Sequence, residues 1–287
     1  MKRTDIHMRD PFVLLHEGTY YLYGSTDDNT WEGPGTGFDF YKSQDLEDFE
    51  GPFEAFRPAA DFWGKENFWA PEVWPYKGKF YMLATFAAEG YHRGVQVMCA
   101  DRPEGPFIPV KNGAVTPKDW ECLDGTLYFD GEGNPWMIFS HEWRQIGDGA
   151  FCSIRLSPDL KEAVTEPEVL FHASNAPWTI ANHEFGQEGY VTDGPFLVKN
   201  SLGETVMMWS GFSKNGYTIG QAVSQNGLQG PWNHPAEPIY DKDGGHGMLF
   251  HKKDGSLWLA IHTPNETGKE RPIFLPIEEK DGLFRQK

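Results

Sequence analysis

The stretch Arg9-Asp10-Pro11-Phe12-Val13-Leu14-Leu15-His16-Glu17-Gly18-Thr19-Tyr20-Tyr21-Leu22-Tyr23-Gly24-Ser25 decides the fold. Two apolar runs flank a polar turn that carries a glycine, the pattern of a β-hairpin. The pattern returns as Glu72-Val73-Trp74 with Phe80-Tyr81-Met82, and as Leu127-Tyr128-Phe129 with Trp136-Met137-Ile138. It returns again as Phe196-Leu197-Val198 with Val206-Met207-Met208, and as Met248-Leu249-Phe250 with Leu257-Trp258-Leu259. Behind three of these hairpins stands a second motif: Glu50-Gly51-Pro52-Phe53, Glu104-Gly105-Pro106-Phe107 and Gln229-Gly230-Pro231-Trp232. A small antiparallel sheet repeated roughly every 50–70 residues predicts an all-β chain built as a five-bladed β-propeller. No composition shift or flexible linker divides the chain, so residues 1–287 are expected to form one domain. Residues 178–190 are long for a blade connection and predict an insertion at the rim of the central channel.

Composition narrows the function. The formal charge of −17 and the dispersed Lys and Arg argue against a nucleic-acid partner, because phosphate binding needs clustered cations. No apolar run is long enough to span a bilayer, so no membrane association is expected. The segment Met1-Lys2-Arg3-Thr4-Asp5-Ile6-His7 lacks the apolar core of a signal peptide, which for a chain beginning there implies a cytoplasmic protein. Cys99, Cys122 and Cys152 have no metal-like spacing and sit in or beside apolar runs, the pattern of buried free thiols. Aromatics make up 15% of the residues, enough to fill sheet cores and still leave platforms on which sugars or bases stack.

Each hairpin opens on an acidic residue or a histidine: Asp10, Glu72, Asp124, Asp193 and His246. The innermost strands of a propeller surround its axis, so residues at equivalent strand starts are expected to converge at one end of it. Packed like charges raise one another's pKa and cost stability, a cost more readily kept where function requires it. Converging carboxylates without a Cys/His metal pattern point to glycoside hydrolysis or to a bound hard cation. No Gly-x-Ser-x-Gly elbow supports a serine nucleophile.

At these residues the chain resembles glycoside hydrolase family 43, the five-bladed propellers acting on arabinose- and xylose-containing glycans. Arg9-Asp10-Pro11-Phe12 resembles the motif that carries the general base, and Trp69-Ala70-Pro71-Glu72-Val73 one that lines the active site. Leu123-Asp124-Gly125 resembles the segment whose Asp tunes the acid's pKa, and Gly245-His246-Gly247 the segment whose His lies on the axis. The resemblance implies inverting hydrolysis of arabino- or xylo-oligosaccharides, with Asp10 as base, Asp193 as acid and Asp124 raising the pKa of Asp193. It requires no cofactor, and it implies a structural calcium or sodium ion on the axis, held by His246 through water.

The fourth blade departs from the family, which has Glu-Gly-Pro where this chain has Asp193-Gly194-Pro195. The shorter Asp would set its carboxyl about 1.5 Å back, which leaves Glu188 and Glu184 as alternative acids. As an inverting pair, Asp10 and Asp193 should stand about 6.5–9.5 Å apart. Trp31, Phe68, Trp69, Glu72, Trp143, Trp178, Phe212 and Arg271 are the expected substrate-binding residues. The alternative reading is a propeller that binds carbohydrate in the same cleft without cleaving it.

Overall fold

A computed structural model describes residues 1–287 apart from Asn29, Glu184 and Phe185. The chain is a five-bladed β-propeller, and the blades follow one another in sequence. The first is β1 (Arg9–His16), β2 (Thr19–Ser25), β3 (Phe38–Ser43) and β4 (Phe49–Phe56). The second is β5 (Glu66–Tyr76), β6 (Lys79–Ala88), β7 (Tyr91–Ala100) and β8 (Ile108–Pro109). The third is β9 (Cys122–Phe129), β10 (Pro135–His141), β11 (Ala150–Arg155) and β12 (Glu168–His172), with a one-turn helix α1 (Trp143–Ile146) after β10. The fourth has three strands, β13 (Asp193–Lys199), β14 (Thr205–Ser213) and β15 (Gly216–Ser224). Isolated bridges from Val223 to Asn233 and from Ile219 to Tyr240 stand in for its outer strand. The fifth is β16 (Gly245–His251), β17 (Leu257–Thr263), β18 (Arg271–Lys280) and β19 (Leu283–Gln286).

The hairpins form where the sequence places them. Glu17 and Gly18 both take positive φ, as do Lys77 and Gly78, and these two-residue turns set the registers His16↔Thr19 and Tyr76↔Lys79. The hydrophobic core lies between neighbouring blades. One cluster packs Phe38, Phe56, Phe62, Phe68 and Phe86 among residues of the first, second, fourth and fifth blades. A second joins Leu83, Val97, Leu127 and Phe139 between blades two and three, and a third joins Phe151, Phe171, Trp178 and Trp209 between blades three and four. Cys122 and Cys152 are buried free thiols, and Cys99 is half-buried. Among the described residues, no helix is long and apolar enough to cross a membrane.

Every innermost strand carries the same β-bulge. Arg9 pairs with Ser25 and Phe12 with Tyr23, so Asp10 and Pro11 together oppose one residue. The equivalent pairs are Trp69↔Thr85 and Glu72↔Leu83, Leu123↔Ser140 and Thr126↔Ile138, Asp193↔Ser210 and Phe196↔Met208, and Gly245↔His262 and Met248↔Ala260. The first bulge residue in each blade has positive φ: Asp10 55°, Ala70 48°, Asp124 56°, Gly194 51° and His246 47°. An L-residue there costs about 1–2 kcal/mol, with Asp and His among those that tolerate it best. The bulge re-aims these side chains at the axis.

Candidate active site

The bulges correct the expected ring. Only Asp10, Asp124 and His246 occupy the same position, and the fourth and second blades hold Gly194 and Ala70 there. Asp193 comes from one residue earlier, level with Arg9, and Glu72 from two residues later, level with Phe12. The physical reason is crowding: a Cβ at Gly194 would lie 2.8 Å from Cδ2 of His246, so this position takes no side chain. The fourth blade therefore supplies its carboxylate from position 193. The sequence held a signal for this alignment, since the second bulge residue is Pro or Gly in every blade: Pro11, Pro71, Gly125, Pro195 and Gly247.

Three carboxyl groups meet on one imidazole. His246 Nδ1 lies 3.2 Å from Asp10 Oδ1, 3.1 Å from Asp193 Oδ1 and 3.9 Å from Asp124 Oδ2. Burial works against a charge on His246, but Asp10, Asp124 and Asp193 outweigh it and raise its pKa to about 10, so it stands as an imidazolium. Asp10 is steadied further by Ser25, whose hydroxyl donates to Oδ2 at 2.5 Å. His262 lies at the same end of the axis; burial and the Arg9 charge lower its pKa to about 3, leaving it neutral.

The Asp124–Asp193 pair runs opposite to expectation. Burial alone would raise Asp193, but hydrogen bonds from Asp124 and Tyr217 and the charge of His246 hold it well below the ordinary carboxylate range. The Tyr217 hydroxyl donates to Asp193 Oδ2 at 2.5 Å. Burial and the Asp193 charge push Asp124 up, and the two carboxyls titrate as one hydrogen-bonded pair. Both Asp10 and Asp193 contact His246 Nδ1, which brings their nearest oxygens closer together than the about 6.5–9.5 Å between the carboxyls of an inverting pair.

These groups floor a cavity of about 780 Å³, within the usual range for small-molecule sites. Trp31, Trp69, Trp143 and Phe212 line it, as expected. Trp31 packs edge-on against Trp69, with the Arg9 guanidinium 4.8 Å from the Trp31 ring and that of Arg93 5.0 Å from the Trp69 ring. Four other expected residues lie elsewhere. Phe68 is 1% exposed within the phenylalanine cluster, and Trp178 packs on Trp209 in the core between blades three and four. Glu72 lies outside the cavity wall and accepts a hydrogen bond from Trp74 Nε1 at 2.9 Å. Arg271 donates to the backbone carbonyls of Thr4 and Glu270. Of the alternative acids, Glu188 is exposed and paired with His183 at 3.8 Å, and Glu184 lies outside the described residues.

Tyr217, Arg93 and Glu142 are among the cavity residues that the sequence reading missed. Tyr217 enters from β15, and Arg93 and Glu142 form an ion pair of 2.7 Å across blades two and three. Nothing local marks them, because each gains meaning only from its partner on another blade.

The axial ion is expected to meet His246 through water. One atom each of Asp124, Asp193 and His246 lie within 4.8 Å of one another, a spacing that suits a cation. Nδ1, however, is the atom turned to Asp10 and Asp193, and a protonated nitrogen offers no lone pair. Direct ligation through Nδ1 would need the neutral imidazole, whereas the expected ion, held by His246 through water, needs no lone pair there.

The family model described as glycosyl hydrolases family 43 matches residues 5–284. The crystal structure of an endo-arabinase from Bacteroides thetaiotaomicron superposes with a TM-score of 0.91 and 41% identity, covering 98% of both chains. A thermostable family-43 glycoside hydrolase superposes with a TM-score of 0.82 and 26% identity, covering 98% of this chain and 92% of that one. Among curated proteins, a xylosidase/arabinosidase of Bacteroides ovatus is 23% identical over 88% of this chain and 89% of its own. An extracellular exo-α-(1→5)-L-arabinofuranosidase of Cellvibrio japonicus is 24% identical over 55% of this chain, and the match spans about half of that protein, 46%.

Proposed function

This chain belongs to glycosyl hydrolases family 43, and from that premise we propose that it hydrolyses arabinose- or xylose-containing oligosaccharides with inversion. The observation that carries the reading is the meeting of Asp10, Asp124 and Asp193 on His246 at the floor of an aromatic-lined cavity. Asp10 is the general base. Its carboxylate, positioned by Ser25 and His246, takes a proton from the water that attacks the anomeric carbon. Asp193, the more exposed member of its hydrogen-bonded pair with Asp124, passes the pair's proton to the departing glycosidic oxygen. Of the three arginines that line the cavity, Arg9 is matched by Glu270 and Arg93 by Glu142, which suits a neutral glycan. Trp31, Trp69, Trp143 and Phe212 offer apolar faces to its C–H groups.

Incubation with arabino- and xylo-oligosaccharides, followed by NMR of the first anomer released, tests the reading. It requires turnover of one class with the anomeric configuration inverted. Binding without turnover supports the carbohydrate-binding alternative, and first release of the retained anomer excludes the single-displacement mechanism.

A further inference from the structure

We propose that Tyr217 is a positioning residue for the proton transfer: its hydroxyl holds the Asp193 carboxyl in place and stabilises the charge that donation leaves on it. The inference rests on the hydrolase reading above and deepens it by naming what holds the acid of that site.

Asp193 and Tyr217 meet across an intervening strand. Asp193 pairs with Ser210 on β14, and Ser210 pairs with Ile219 on β15. Tyr217 stands two residues before Ile219, on the same face of the sheet, so its hydroxyl reaches Asp193 diagonally over β14. The fifth blade makes room for the ring. Level with Arg9, the innermost strands of the other blades carry Trp69, Leu123, Asp193 and Gly245. Gly245 alone has no side chain, and a Cβ there would stand 2.7 Å from Cε1 of Tyr217 and 2.7 Å from Ser210 Oγ. The Tyr217 ring thus takes the space of the side chain that the fifth blade omits.

The ring is fixed on every side. It is 1% exposed, stacks on His262 with centroids 5.5 Å apart and planes at 23°, and meets Phe212 at 5.6 Å. His262 in turn accepts from the backbone N–H of Asp10, so one stacked pair supports both the acid and the base. Asp193 is held at both oxygens, with Oδ2 accepting from Tyr217 at 2.5 Å and Oδ1 facing His246 Nδ1 at 3.1 Å. Burial and the charges of Asp193 and Asp10 keep the phenol protonated, which leaves it a donor.

In the step itself, the proton moves from Asp193 to the glycosidic oxygen as the bond from that oxygen to the anomeric carbon breaks. Water forms the new bond to that carbon and gives its proton to Asp10. Tyr217 keeps its own proton throughout. Its hydrogen bond strengthens as the acceptor becomes charged, so it favours the transition state over the bound substrate and acts on kcat rather than on KM.

The test compares Tyr217→Phe, Asp193→Asn and the double variant on two substrates. One is an unactivated oligosaccharide, the other a 2,4-dinitrophenyl glycoside whose leaving group needs no protonation. Tyr217→Phe should lower kcat on the oligosaccharide by about 10–100-fold, the loss of one hydrogen bond to a charged group. KM should stay within about twofold of the parent. On the dinitrophenyl glycoside the variant should stay within about threefold of the parent, which also shows that its site is assembled. Asp193→Asn should lose about 10²–10⁴-fold on the oligosaccharide alone. Adding Tyr217→Phe to it should cost nothing more, because no proton is left to position. Equal losses on both substrates, a raised KM with kcat unchanged, or losses that multiply in the double variant overturn the positioning role and leave the acid assignment standing. An Asp193→Asn variant with no leaving-group dependence overturns Asp193 as the acid, and the part of Tyr217 with it. A parent protein inert on both substrates overturns the hydrolase reading itself, and this assignment with it.

Discussion

The backbone N–H of Asp10 donates to Nδ1 of His262 at 3.1 Å, tying the first blade to the last. His262 can accept because burial and Arg9 keep it neutral. The same link recurs around the axis, each time from the first bulge residue of one blade to the second strand of the blade before it. Ala70 donates to Ser25 Oγ at 2.8 Å, Asp124 to Thr85 Oγ1 at 2.9 Å and His246 to Ser210 Oγ at 2.8 Å. One link is diverted. Gly194 donates to Asp124 Oδ2 at 3.1 Å, and the Ser140 hydroxyl that holds the equivalent place is buried without a hydrogen-bond partner among the described residues. The ring has given up one structural bond and orients Asp124 with it.

This asymmetry predicts unequal costs for two similar substitutions. Ser210→Ala strands the buried His246 N–H and should destabilise the protein by about 1–3 kcal/mol. Ser140→Ala removes a hydroxyl that bonds to nothing and should lie within about 0.5 kcal/mol of the parent. Urea unfolding of the two variants measures the difference, and an equal loss in both contradicts the diverted link.

Asp10→Asn should abolish base catalysis while keeping the fold, because the amide still accepts from Ser25. A fall of about 10²–10⁴-fold in kcat is expected on activated and unactivated substrates alike, since water must be deprotonated in both reactions. Steady-state kinetics beside an unchanged circular dichroism spectrum provide the check. An active Asp10→Asn enzyme means that another group activates the water.

The imidazolium makes stability depend on pH. With the folded pKa of His246 raised to about 10, its stabilising charge is fully present below the ordinary histidine value of about 6.5. The stabilisation is lost as the pH rises through about 10. His246→Asn leaves Asp10 and Asp193 without their counter-charge and should cost about 3–5 kcal/mol at neutral pH. Denaturant midpoints for both proteins at pH values below and above the titration should converge at the alkaline end.

Glu72 carries the opposite sign. Burial raises its carboxyl from 4.5 to about 7 in the folded protein, so the unfolded chain releases that proton first. Folding is therefore disfavoured progressively as pH rises from about 4.5 to about 7, by up to about 3 kcal/mol. Glu72→Gln removes this slope and should be more stable than the parent at pH 8 yet not at pH 4. Equal pH slopes in the two proteins would show that Glu72 is ionised when folded.

The sequence alone determined the repeat. Hairpin turns and alternating apolar runs act over a few residues, so Glu17-Gly18 and Lys77-Gly78 announce their strands locally, and five such units imply a propeller. It also placed Asp10, Asp124 and His246 on the axis, because strand starts in a radial repeat have nowhere else to converge. The register of Asp193 and Glu72 belonged to the tertiary structure. The His246 ring excludes a side chain at Gly194, and that contact joins residues 52 positions apart. The distribution of protons is likewise non-local: Tyr217, Asp124 and His246 reach Asp193 from three other strands and hold its carboxyl low. Glu142 and Arg93 carry no motif of their own. Only the packing of the third blade against the second turns them into a buried pair, 49 residues apart, in the wall of the cavity.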